Sequence, residues 1–348
     1  MLRQMLPAAA LLGAAFIAGC AQTGDKTAIV AAEAEMPAGP YRPFSADSPW
    51  NTKIPANAAI DPNSDVLMAD FAAFNPLHIN MEEWSVAVYP VDHKATPKRY
   101  VQALYPNQYG HGFGPRERIP IPDGAAPGGP ALGTGYLVLE DRKAGKAWEM
   151  RQAGQNEDGG WFTGFGATAD LRGTGVNMPW MKASSPLNAA SPRPSGAPLV
   201  AGLIRADELK AGKIEHALAF AYSGARTNAF VSPASTALES REGRPDNPFG
   251  LPMGARIQLD PSYDIENTKL SPEAKVIARA LQEYGAILVD EAGGTVLYAE
   301  AAPEALTEFE GLLTPDELYL IFTPEFMSKN FRVLEIQGVM PGRPRLQK

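Results

Sequence analysis

The sequence predicts a mainly β protein: a β-sandwich or jelly-roll-like body with a few peripheral α-helices. Three observations carry this. Glycine (33) and proline (32) are both abundant in 348 residues, as expected for many short strands joined by turns. Apolar runs repeat with period two and are bounded by turn residues, as in residues 136–140, 147–153 and 214–222. Only one long stretch carries a complete set of helix signals. Hydrophobic content of 45% against 20% charged residues implies a large folded core.

Residues 1–20 read as a targeting segment. Arg3 supplies positive charge, and residues 5–18 form an apolar run too short to span a bilayer comfortably. Phe16-Ile17-Ala18-Gly19-Cys20 resembles a lipobox, with Cys20, the single cysteine, as the acylated residue. Ala21 in place of an aspartate favours the outer membrane over inner-membrane retention. The protein is therefore expected to be an envelope lipoprotein, held at the membrane by an N-terminal lipid. Residues 21–40 are expected to be a flexible tether, and 41–340 a single β-rich domain. The net charge of -8 and the lack of a basic stripe argue against nucleic acid as a partner.

Within the body, Asp61-Pro62-Asn63-Ser64 is a turn leading into a short helix over 65–73. Residues 84–91 and 99–105 read as strands. The glycine- and proline-rich run 106–130 contains His111 and reads as an ordered loop lining a site. Residues 136–140 and 147–153 form a hairpin, with Glu149 and Arg151 on one face and Trp148 and Met150 on the other. A glycine–aromatic stretch with Trp161, Phe162 and Phe165 ends at Asp170.

The chain is organised around residues 202–222. A helical turn or two ends at Gly212. A strand then places Ile214, His216, Leu218, Phe220 and Tyr222 on one face and small residues on the other. Ser271, Pro272 and Glu273 cap the best helix, which Gly285 closes. Residues 286–289 and 295–298 are expected to pair around the turn 290–294. Thr314-Pro315-Asp316-Glu317 signals a C-terminal helix, and 332–336 a last strand.

Taken together, S-P-W-N-T (48–52), G-L-I-R-x-D-E-L-x-x-G-x-I-x-H-A-L (202–218), P-M-G-x-R (252–256) and A-L-Q-x-Y-G-x-x-x-x-D (280–290) resemble a family of secreted bacterial proteins. The resemblance implies export and assigns no chemistry. It departs after residue 289, where Asp290-Glu291-Ala292-Gly293 replaces a tight asparagine–glycine turn.

Phosphate-cradling, nucleophile-elbow and zinc-helix motifs are missing from the sequence, and four dispersed histidines lack metal-ligand spacing. No cofactor or metal is expected. What remains is a carboxylate, histidine and aromatic set suited to polysaccharide. One reading is a glycoside hydrolase with Glu149 and Asp170 as acid and base or nucleophile and His216 in support. Substrate would lie against Arg205, Arg151, His111, Trp161 and Trp50. A second is a polysaccharide lyase, with His216 as base and Arg205 or Arg151 neutralising a uronate carboxylate. A third is a non-catalytic glycan- or envelope-binding lipoprotein with Trp50, Trp161 and Trp180 as stacking surface. Against all three stands the plain alternative: His216 is a satisfied core histidine, Glu149 and Arg151 an ion pair, and Asp170 the cap of a turn.

Overall fold

A computed structural model describes residues 40–342, except 74–75, 82–83, 107–112, 114–115, 130–132, 180, 183–190, 241–245, 303–306 and 320–321. The targeting segment with Cys20, the tether, His111 and Trp180 lie outside the described residues. The described chain falls within one compact unit, Gly39–Lys348. No described helix is long and apolar enough to cross a membrane.

The protein is mainly β with few helices. A four-stranded sheet has the order β10 (Phe165–Asp170), β7 (Lys146–Arg151), β6 (Tyr136–Asp141), β2 (Val86–Pro90). A six-stranded mixed sheet has the order β1 (Leu77–Asn80), β15 (Thr295–Tyr298), β11 (Leu218–Ala221), β14 (Ala286–Asp290), β13 (Arg256–Leu259), β16 (Phe331–Val333). The two sheets share one core: Val86, Val138 and Ala147 meet Ala219, Val289 and Val296. The outer face of the larger sheet is covered by helices α1 (Ser64–Ala72) and α3 (Pro272–Glu283), the latter capped by Ser271 as its sequence predicts. The outer face of the smaller sheet packs Leu137, Trp148 and Met150 against Ile119, Ile121 and Trp161. Apolar cover on both sides explains why these strands read as nearly continuous apolar runs.

Parity along 214–222 follows the sequence. Ile214, Leu218, Phe220 and Tyr222 face the helices, while Ala217, Ala219 and Ala221 face the smaller sheet. The small side chains let the sheets approach, and Gly202, at φ 69°, lies where a Cβ would strike the Leu218–Ala219 backbone.

Three expectations need correction. The strand begins at Leu218, so His216 sits in its lead-in rather than mid-strand. Strands β14 and β15 do not pair with each other; β11 lies between them, parallel to one and antiparallel to the other. Residues 315–319 form turns, and the C-terminal helix is α4 (Pro324–Asn330), whose cap Thr323 accepts the Phe326 N–H. The signal at Thr314 and the signal at Thr323 are both Thr-Pro pairs, and both segments reach the core, through Leu318 and Met327 respectively, but only the second continues as a helix.

Candidate functional site

Glu149 and Asp170 do not converge. The register of β10 on β7 sets Ala167 opposite Glu149 and Asp170 opposite Lys146. Side chains alternate, so Glu149 shares the inter-sheet face with Ala147, whereas Asp170 shares the outer face with Lys146 and Trp148. Asp170 is exposed and caps a turn by accepting the Arg172 N–H. The pair cannot flank a single sugar bond, and the hydrolase assignment built on it fails.

His216 is a satisfied core histidine. Its Nε2 lies 2.9 Å from Glu208 Oε1 and its Nδ1 2.9 Å from the Ala217 carbonyl. Both neighbours are acceptors, so the geometry calls for a doubly protonated ring. Burial disfavours that charge, but the Glu208 carboxylate and the Ala217 carbonyl outweigh it and raise the pKa. Glu208 sits in the first turn of α2 (Ala206–Lys210), and its other oxygen accepts the Arg205 N–H at the helix start. The Trp50 carbonyl takes the Ala217 N–H at 2.7 Å. The motif from Gly202 to Leu218 is thus a closed device tying α2 to the start of β11. His216→Gln keeps a donor for Glu208 but loses the charge. It should lower stability by about 2 kcal/mol below pH 6. The raised pKa makes this stabilisation fullest below the unfolded value of about 6.5 and lost as pH climbs through the folded one. Urea denaturation of both proteins at pH 5.5 and pH 9 should therefore show the gap closing at the higher pH.

Arg205 is 2% exposed and fully engaged. Its guanidinium forks onto Glu140 at 3.1 and 3.3 Å and reaches Glu300 at 2.6 Å. Burial raises the Glu140 pKa, but Arg205 and Arg142 outweigh it and leave that carboxylate lowered. Burial pushes Glu300 up to about 7 against the pull of Arg205. The Tyr41 ring lies under both Arg142 and Arg205. With two carboxylates already on it, Arg205 has no charge left for a uronate. The lyase assignment to His216 and Arg205 fails with it.

Glu149 belongs to a second polar group in the inter-sheet layer. It accepts the Val200 N–H at 3.2 Å, and burial pushes its pKa up to about 7. On the same face Tyr136 donates to Asp290, whose pKa burial also raises. Arg193, 1% exposed, lowers both carboxyls. Its Nη1 donates to the Pro198 and Ala201 carbonyls, and it stacks over Tyr298 at 4.9 Å. Its Nε and Nη2 and the Arg151 Nε are buried without a hydrogen-bond partner. Arg151 does share the face of Glu149, and its charge lowers the Asp290 carboxyl.

Trp50 and Trp161 are buried, in the inter-sheet core and the outer core respectively, and offer no stacking surface. Among the described residues the exposed aromatics are Trp84, Tyr100, Tyr105, Phe249 and Tyr319. Among the described residues, Asp92, His93 and Asp141 form a group that could hold a metal ion. The Asp141 carboxylate there already accepts the His93 N–H and lies 2.7 Å from its Nδ1, while its other oxygen accepts the Ala144 N–H. These bonds account for the arrangement as the anchor of a turn.

Sequence reasoning missed Glu208, Glu140, Glu300, Asp290 and Arg193. Glu208 and Asp290 stand inside the motifs. Glu140 ends an apolar run, and Arg193 lies in a polar stretch with no period to mark it. No family model matches the chain, and comparison with curated proteins and with solved structures finds no match.

Proposed function

We propose that the protein is a non-catalytic binding lipoprotein of the cell envelope, with envelope polysaccharide as its partner. One observation carries the reading. Glu149, Arg205 and His216, the groups that would have done chemistry, are each at most 4% exposed and take their interactions from inside the fold. Groups arranged this way find their partners within the fold and are closed off from solvent. Exposed Trp84, Tyr100 and Tyr105 offer ring faces of the kind that sugars stack on. The lipobox at Cys20 supports the compartment. The full protein incubated with insoluble envelope polysaccharide should co-sediment with it and release neither new reducing ends nor unsaturated uronate. Release of either product overturns the reading. Cys20→Ser should shift the protein from the membrane to the soluble fraction.

A second reading is favoured by the Glu149 carboxyl at about 7, a suitable value for a general acid, with Asp290 in the same layer as the second carboxylate. It requires the segment at Val200 to lift from Glu149. New reducing ends that vanish in Glu149→Gln would establish it.

A further inference from the structure

Two of the sequence motifs meet again away from the inter-sheet layer, through residues that layer does not contain. Pro49 and Thr52, from S-P-W-N-T, and Gly254 and Arg256, from P-M-G-x-R, line one cavity of about 400 Å³. None of the polar residues of the inter-sheet layer lines it. Gly254 makes the approach possible: it stands at φ 86°, and a Cβ there would strike the Val231 carbonyl. Arg256 opens β13, and its guanidinium donates to the Pro49 carbonyl, which joins the two motifs.

Within this cavity the Arg256 guanidinium lacks an ion-pair partner among the described residues. Burial alone pulls its pKa down to about 10. Of the other charged residues on the wall, Lys53 is paired with Glu283 at 2.5 Å, and Asp47 is exposed. Around the guanidinium the wall is largely apolar: Pro49, Ile54, Pro233 and Leu334. Arg256 is partly buried, and a cation so placed without a counter-charge carries a desolvation cost that an anion on it recovers in part. The planar guanidinium fork matches a carboxylate, and a concave apolar wall with one convergent polar group is the usual make-up of a small-molecule site.

We propose that this cavity binds a small organic carboxylate, its head on Arg256 and its apolar body against Pro49, Ile54, Pro233 and Leu334. The inference is independent of the polysaccharide reading, since it uses none of the same residues.

Calorimetric titration of the full protein with phenylacetate, with neutral phenylacetamide and with inorganic phosphate tests it. Phenylacetate should bind at least roughly tenfold more tightly than either of the others, a margin of about 1.4 kcal/mol. Arg256→Gln should weaken phenylacetate binding at least tenfold. Because Arg256 also holds Pro49, a second variant guards against a folding defect. Ser232→Trp, at an exposed position on the cavity wall, fills the space and leaves the guanidinium in place, and it should abolish binding. Equal affinity for the amide, unchanged affinity in the tryptophan variant, preference for phosphate, or no heat with phenylacetate at about 10 mM would each overturn the proposal.

Discussion

Replacing Arg205 with leucine is expected to lower the unfolding free energy by about 3–5 kcal/mol at pH 7, the usual cost of removing one partner of a buried ion pair. The loss arises because Glu140 and Glu300 both lean on this one guanidinium. Without it, Glu140 keeps only Arg142, and Glu300 loses the counter-charge that holds its carboxyl down. Both carboxylates would then take up protons on folding, so the deficit should shrink as pH falls from 7 to 5. Lysine at 205 should restore only part of the loss, because an ammonium cannot fork onto Glu140 while reaching Glu300. Urea denaturation at two pH values separates these outcomes. A leucine variant as stable as wild type at pH 7 would mean that Arg205 is no structural tie and is free for a ligand.

Glu149→Gln should do the reverse and stabilise the protein at alkaline pH. The folded pKa of about 7 stands above the unfolded value of about 4.5. Between these values the native state holds a proton that the unfolded chain has released. Native stability therefore falls as pH rises through that window, by about 3 kcal/mol in total. Glutamine is permanently neutral and still offers Val200 an acceptor. Its variant should match wild type near pH 4.5 and exceed it by up to about 3 kcal/mol at pH 8. Equal pH slopes for the two proteins would show that Glu149 is ionised in the fold.

The sandwich class was legible because covered strands announce themselves by apolar runs, and the parity of residues 214–222 was read from side-chain size alone. The best helix was legible because Ser271, Pro272 and Gly285 are local signals with local causes. What was not legible depends on pairing across long sequence distances. Nothing local shows that β11 inserts between β14 and β15. Arg205 meets Glu140 across 65 positions, and Tyr136 meets Asp290 across 154. Glu149 and Asp170 looked like a pair because each stands beside aromatic residues. Only the antiparallel register, which sets Asp170 opposite Lys146, sends them to opposite faces. The sequence admits His216 as a satisfied core histidine, but its charge depends on Glu208 and the Ala217 carbonyl, which only the fold brings to the ring. Its partner stands eight residues earlier in the same motif, but no local signal pairs a carboxylate in a helical turn with a side chain beyond the following glycine.

The central claim is that the residues most suggestive of catalysis are internal ties, and His216 carries it most sharply. Nitrogen-15 NMR of the imidazole reports the protonation of each ring nitrogen directly. The account predicts that both nitrogens are protonated at pH 6.5, where an ordinary histidine is about half titrated, and that the signal disappears in His216→Gln. It also predicts that Glu208→Gln lowers the midpoint. A neutral ring at pH 6.5 with one bare nitrogen, indifferent to Glu208, would contradict it and return His216 to the list of candidate bases.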